Sequence, residues 1–172
     1  MTLTWDLVII IFLIVSLFYG FMLGRERVLL TLIGTYVGLF VADKLGESAF
    51  NLLSDSSSNV LQEAIVEQNI TIFTVRVAIL ILVTLLLVLR GGLVVHPDAH
   101  GEGVTHSISL ALFALLNGII ITTSIIMFLP PDSQSIILNS SSLARTLMQF
   151  YSGWLVLPFA VLLFLSFRRA RD

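Results

Sequence analysis

Apolar residues along the chain fall into five runs, each of about twenty residues, separated by shorter polar segments. An α-helix rises about 1.5 Å per residue, so a helical run of this length spans a hydrocarbon core of about 30 Å. The pattern therefore predicts membrane-spanning helices at about residues 3–23, 28–45, 72–95, 107–129 and 143–167.

Two of the five runs are interrupted by residues that are uncommon inside a span. The second contains glycines and closes on Asp43–Lys44, and the fifth contains Arg145, Gln149, Gly153 and Pro158. We therefore predict an all-α, polytopic helical bundle with four to five transmembrane helices, forming a single membrane domain over residues 1–172. The pattern leaves open whether the fifth run crosses the membrane.

Composition supports a membrane protein. Hydrophobic residues make up 57% of the chain and charged residues 12%, which is more apolar surface than a globule of this size can bury. The N-terminal MTLTWD lacks a positive charge, so we expect the first run to be retained rather than cleaved as a signal peptide. A formal net charge of −2 argues against a nucleic-acid partner.

Positive residues lie at alternate ends of the predicted spans, which indicates an orientation. Arg25 and Arg27 follow the first span, and Arg90 closes the third. Arg168, Arg169 and Arg171 follow the fifth. Because short cytoplasmic loops hold the excess of Lys and Arg, the N-terminus is predicted outside and the C-terminus in the cytoplasm. The arginines are also expected to anchor the chain to headgroup phosphates of the bilayer.

The segment between the second and third spans, SSSNVLQEAIVEQN, has the spacing of a short amphipathic helix. It opens with serines and Asn59, which are common helix-capping residues. We predict a short outer amphipathic helix there, which covers the bundle or meets a partner.

Small residues recur every four positions in the second span, at Gly34, Gly38, Ala42 and Gly46. This spacing puts them on one helical face, where missing side chains let a neighbouring backbone approach closely. The face is predicted to pack either against the first or third span of the same chain or against a second copy. Gly24 is suited to the end of the first helix, where a positive φ is common.

Asn117 is the predicted intramembrane polar residue, near the middle of the fourth span and followed by Thr122, Thr123 and Ser124. A polar side chain at this depth needs a partner, so Asn117 either bridges two helices or lines a permeation path. Arg76 lies about one turn into the third span, and we expect it to extend outward to the interface.

All three histidines of the chain lie in or beside one loop, HPDAHGEGVTH. His96, His100 and His106 alternate there with Asp98 and Glu102, and both residue types ligate divalent metals. The spacing matches no usual zinc site, and polar residues between spans are ordinarily solvated, so we assign no metal and no cofactor.

Three stretches resemble the colicin V production protein family. The first is WDLVII followed by Gly20-x3-Gly24-x2-Arg27-x-Leu29-Leu30-x-Leu32-Ile33-Gly34-x3-Gly38, which is similar to the first helical hairpin of that family. The second, SLALFALLNGIIITTSIIMFL, carries Phe113, Leu116 and Gly118 at positions like those of its fourth span, and the third is SSSLARTLMQFY. The resemblance implies a small bacterial inner-membrane protein linked to export or envelope processes, and it supplies no catalytic residues. We assign Gly20, Gly24 and Gly118 to helix packing together with the glycine stripe.

No catalytic triad, phosphate loop or carboxylate pair is recognisable in the sequence, so we expect a protein that is not an enzyme. Two functions remain. One is an accessory or assembly subunit of a larger membrane complex, and the other is an oligomeric channel or transporter component whose path includes Asn117. Its partner is accordingly a membrane protein or a second copy of the chain.

Overall fold

A computed structural model describes residues 4–55, 71–91 and 104–169 of the chain, and within these ranges the regular structure is helical. The described helices, in chain order, are α1 Trp5–Leu23, α2 Arg25–Asp55, α3 Ile72–Gly91, α4 Val104–Phe128, α5 Pro131–Ser140, α6 Ser142–Gln149 and α7 Tyr151–Arg169. The predicted amphipathic helix at residues 56–69 lies outside the described residues.

Four of these helices, α1 to α4, are long and apolar enough to cross a membrane, and α6 with α7 would make a fifth span if the bent pair is counted as one. The prediction of an all-α bundle with four to five spans is therefore confirmed. Two details differ from the predicted boundaries. Helix α2 continues past residue 45 to Asp55, and the fifth run is broken into two helices at an angle of 63°.

The break in the fifth run lies at Phe150, whose backbone ends α6 and donates to the carbonyls of Thr146 and Met148. The indole of Trp154 then donates to the Leu147 carbonyl at 3.1 Å, across the break. A carbonyl in the last turn of a helix has no partner within that helix, so the Trp154 side chain satisfies a group that the bend exposes.

Helix α4 is the centre of the bundle. In its most apolar stretch 67% of the residues are buried, compared with 11% in α1 and in α3. Its three consecutive hydroxyls bond back to carbonyls one turn earlier, from Thr122 to Gly118, Thr123 to Ile119 and Ser124 to Ile120, at 2.6–2.9 Å. Back-bonding of this kind lets a helix bury hydroxyls on every side without partners from other helices.

The four long helices pack mainly as two pairs. Helix α2 packs along the length of α3, and α1 packs against α4. Helices α5 and α6 cover one end of the bundle, where Ile137 and Ala144 join a buried cluster with Ile9, Ile119 and Ile126. Helix α7 then runs back along α4.

A single residue, Gly24, links α1 to α2. Its φ of 79° and ψ of 168° lie in a region of backbone conformation that is essentially restricted to glycine. Its N–H donates to the Gly20 carbonyl and its own carbonyl accepts from Val28, so both helix ends are closed within the link. The positive φ predicted for Gly24 at the end of the first helix is confirmed, and these two bonds close the link between α1 and α2.

Replacing Gly24 with alanine should destabilise the hairpin through backbone strain alone, by about 1–3 kcal/mol. No atom lies within 4 Å of a Cβ built at this position, so bulk does not contribute. The matched control is Gly153→Ala, at a helical glycine that also has open space around it and should tolerate alanine. Thermal unfolding of both variants in detergent measures the difference, and equal stability would contradict the strain.

Candidate functional site

Asn117 lies at the contact between α4 and α2. Its side chain is 7% exposed, and its Oδ1 is 2.9 Å from the hydroxyl of Thr35, which is fully buried on α2. The same hydroxyl lies 2.9 Å from the Thr31 carbonyl. A hydroxyl has one proton, so it cannot donate to both at once. Both contacts are satisfied together when the Asn117 amide is turned so that its NH₂ group donates to Thr35.

A small cavity of about 10 Å³ adjoins Asn117 between α1, α2 and α4. Its lining includes the polar side chains of Ser16, Tyr19 and Thr31. A cavity of this volume holds about one water molecule. The space beside Asn117 is therefore suited to a bound water and is too small for an organic substrate.

Small residues bring α1 against α4 on the other side of this cavity. A Cβ built on Gly20 would collide with that of Ala114, and one built on Gly118 would lie 2.8 Å from the Ser16 hydroxyl. Ser16 in turn donates to the Ala114 carbonyl at 3.0 Å. Only a position without a side chain allows such an approach, which accounts for both glycines.

The glycine stripe of α2 faces α3 of the same chain. A Cβ on Gly34 would lie 3.3 Å from the Thr84 carbonyl, and one on Gly38 would lie 2.9 Å from that of Leu80. Ala42 is fully buried in a cluster with Leu80. Of the three partners considered for this face, which were the first span, the third span and a second copy, the structure places the third span against it.

Arg76 of α3 packs against Gly46, the last small residue of the stripe. A Cβ on Gly46 would meet the Arg76 stem, with Cγ at 2.5 Å, so the side chain lies across α2. Its guanidinium carbon is 5.8 Å from the ring centre of Phe128, within the range of a cation–π contact. Among the described residues, the Arg76 Nε is the buried side-chain polar atom without a hydrogen-bond partner.

The arginines assigned to membrane anchoring are only partly described by the structure. Arg27 and Arg90 have exposed side chains near the start of α2 and the end of α3. Arg25, Arg168 and Arg169 belong to described helices, but their side chains lie outside the described part. The anchoring assigned to these arginines stays a prediction.

Two polar contacts between distant segments were not predicted from the sequence. The Asp6 carboxylate of α1 accepts from the Ser141 hydroxyl at 2.5 Å and from the Leu143 N–H at 3.1 Å. Ser141 also caps α6 by accepting from the Ala144 N–H. The Tyr36 hydroxyl of α2 donates to the Leu155 carbonyl of α7 at 2.5 Å. These contacts hold the bent fifth run against the bundle.

The residues considered and not assigned as metal ligands lie mostly outside the described part of the chain. His96, Asp98, His100 and Glu102 lie outside the described residues, and of His106 only the backbone is described. Within residues 4–55, 71–91 and 104–169, no group of three or more His, Cys, Asp or Glu side chains is close enough to hold a metal ion.

Four helices that are long and apolar enough to cross a membrane define the chain as a multi-pass helical membrane protein. The family model described as colicin V production protein matches residues 5–152 of the 172-residue chain. The chain therefore belongs to the colicin V production protein family, and the resemblance stated above is confirmed. No curated protein and no solved structure matches the chain.

Gly38→Leu should destabilise the α2–α3 contact by about 1–3 kcal/mol, the usual cost of overpacking. The reason is that the nearest neighbour is the Leu80 carbonyl, which is backbone and cannot rotate away. Thermal unfolding in detergent measures the loss. Gly153→Leu serves as the control, because no atom lies within 4 Å of a Cβ there. A Gly38→Leu variant as stable as this control would contradict the assigned packing.

Proposed function

We propose that this protein is a non-enzymatic accessory or assembly subunit of a membrane complex, acting in export or envelope processes in the bacterial inner membrane. Membership of the colicin V production protein family supports the broad setting. The observation that carries the subunit role is the pairing of the intramembrane polar groups within the chain itself, above all Asn117 with Thr35.

A channel or carrier needs polar groups that are free to meet its substrate along a path. In the described part of this chain the corresponding groups bond to neighbouring helices instead. Ser16 bonds α4, Asn117 bonds α2, and Tyr36 bonds α7. Such bonds favour a bundle with a closed interior. In such a bundle the outer surface contacts the partner protein.

The proposed orientation places the N-terminus outside and the C-terminus in the cytoplasm. The start of α2 and the end of α7 carry the paired arginines, and five crossings would bring both to the cytoplasmic face.

A single introduced cysteine tests this orientation, because the chain has no cysteine of its own that could react. Glu26→Cys, at an exposed position between Arg25 and Arg27, should react with a membrane-impermeant thiol reagent only when the cytoplasmic face is accessible. Labelling is compared between intact spheroplasts and inside-out vesicles. Reaction in intact spheroplasts would reverse the proposed orientation.

Mild detergent extraction of the tagged full-length chain tests the subunit role. We expect stable co-purification of a different membrane protein in amounts close to one per chain. The control is an equally expressed Gly38→Leu chain, whose disturbed bundle should retain less of the partner. A purified species consisting only of copies of this chain would favour the channel.

The alternative is an oligomeric channel or transporter component, favoured by the small polar-lined cavity beside Asn117. Asn117→Cys distinguishes the two functions, because a cysteine in a closed bundle is protected from aqueous thiol reagents and one in a water-filled path is not. We expect protection, with Glu26→Cys as the reactive control. Rapid labelling at position 117 by a charged reagent would favour the channel or transporter function over the subunit role.

The stability of the Asn117 contact is tested by a double-mutant cycle. Asn117→Leu should cost about 0.6–2 kcal/mol, the range for interhelical hydrogen bonds in membranes. Thr35→Val removes the same bond from the other side, so the two losses should not add when the substitutions are combined. Fully additive losses on thermal unfolding would show that Asn117 and Thr35 are not partners.

A further inference from the structure

A groove of about 430 Å³ lies between α2, α4 and α7, which we call the α2–α7 groove. Its body is apolar and is lined by Leu39, Phe40, Phe128, Leu155, Val156 and Phe159. Ligand pockets in proteins typically measure about 300–1,000 Å³ and combine an apolar lining with a few polar groups that orient the ligand. The volume and lining of this groove fall within that description.

The polar side chains that line the groove are those of Tyr36, Asp43 and Tyr151. The Tyr36 hydroxyl is bonded to the Leu155 carbonyl, and its ring packs against that of Phe159 at a tilt of 47°, with centroids 4.9 Å apart. Asp43 and Tyr151 also line the groove, and Tyr151 lies within electrostatic reach of both Asp43 and Tyr36. Asp43 is seven residues after Tyr36 on α2, or ~10 Å along the helix. A ligand in the groove therefore meets polar groups at one end and apolar groups along its length.

The depth of the polar end follows from the helix lengths. Asp43 lies 18 residues after Arg25 at the start of α2, which is ~27 Å along the helix axis. Tyr151 lies 18 residues before Arg169 at the end of α7. Both distances are close to the ~30 Å thickness of the hydrocarbon core. With Arg25 and Arg169 at the cytoplasmic membrane surface, as proposed above, Asp43 and Tyr151 lie at the level of the opposite lipid headgroups, and the apolar body of the groove lies at the level of the acyl chains.

The charges at this level come as an adjacent pair of opposite sign. The Lys44 ammonium is 3.4 Å from the Asp43 carboxylate, and the two side chains are 63% and 46% exposed. Together they complement a zwitterionic headgroup, in which an ammonium would meet Asp43 and a phosphate would meet Lys44. A primary ammonium also has N–H donors for Asp43 and for the Tyr151 oxygen, which a quaternary ammonium lacks.

We propose that the α2–α7 groove binds a membrane phospholipid with a primary-amine headgroup. One acyl chain lies along the apolar body between α2 and α7, and the headgroup ammonium is bound by Asp43 and Tyr151. The bound lipid is a structural ligand of this family member, additional to any role as a subunit.

Photo-crosslinking in lipid nanodiscs tests this site on the full-length chain. The probe is phosphatidylethanolamine with a diazirine on one acyl chain, present at low fraction in phosphatidylcholine, and labelled peptides are mapped by mass spectrometry. We expect labels on the groove faces of α2, α4 and α7. Excess unlabelled phosphatidylethanolamine should remove them, whereas phosphatidylcholine and phosphatidylglycerol should not. Both leaflets contain the probe, so the result does not depend on orientation.

Two substitutions with matched controls connect the label to the groove. Asp43→Asn should lower labelling by about two- to fivefold, the range expected for one partly exposed charge contact. Glu47→Gln, which removes an exposed acid one turn further along α2 and outside the groove, should not. Val156→Trp should fill the apolar body and abolish labelling there, whereas Leu163→Trp, at an exposed site of α7 outside the groove, should not.

Three outcomes would overturn the proposal. Equal groove labelling by diazirine probes with amine, choline and glycerol headgroups would make the lipid an unselective neighbour. Unchanged labelling of Asp43→Asn would remove the headgroup contact. A dimer in the nanodisc, with protein–protein crosslinks through position 156, would make the groove an interface between copies.

Discussion

The hydrocarbon core offers no water to polar groups, and this constraint explains the most specific features of the bundle. The hydroxyls of Thr122, Thr123 and Ser124 return to carbonyls of their own helix, so α4 can be surrounded by other helices without unsatisfied groups. Polar side chains that cannot do this find a partner on another helix, as Asn117 does on α2. The polar residues of this chain therefore help to determine which helices are neighbours.

The helices must also pack closely. Apolar side chains gain little free energy from contacting each other instead of lipid, so association of the helices depends on close van der Waals contact. Two glycines allow this close contact. Gly38 packs against Leu80 in the α2–α3 pair, and Gly118 packs against Ser16 in the α1–α4 pair. The Thr35–Asn117 bond then joins one pair to the other. A bundle built in this way is held by a few short-range contacts, each of which depends on the absence of a side chain or on one hydrogen bond.

The sequence predicted the helical architecture well, because span length and polarity are local properties that can be read from runs of residues. The four-residue period of Gly34, Gly38, Ala42 and Gly46 likewise identified a packing face, but it could not tell which helix would occupy that face. The interruptions of the fifth run at Arg145, Gln149, Gly153 and Pro158 left its crossing open, but none of these residues is Phe150, where the helix bends. Asp6 and Ser141 are 135 positions apart, and nothing local to either indicates that they bond. For Asn117 the sequence indicated the need for a partner and left its identity to the fold.

The unequal lengths of neighbouring helices have a consequence outside the membrane. Helices α1 and α3 contain 19 and 20 residues, ~30 Å each, whereas α2 contains 31, or ~46 Å. If the start of α2 lies at one membrane surface, its last three turns, from Lys44 to Asp55, rise ~16 Å into the aqueous phase on the opposite side. That part carries exposed Glu47, Ser48 and Asn51, whose polar side chains favour water over acyl chains. The end of α2 is then accessible from the aqueous compartment without contact with the lipid surface.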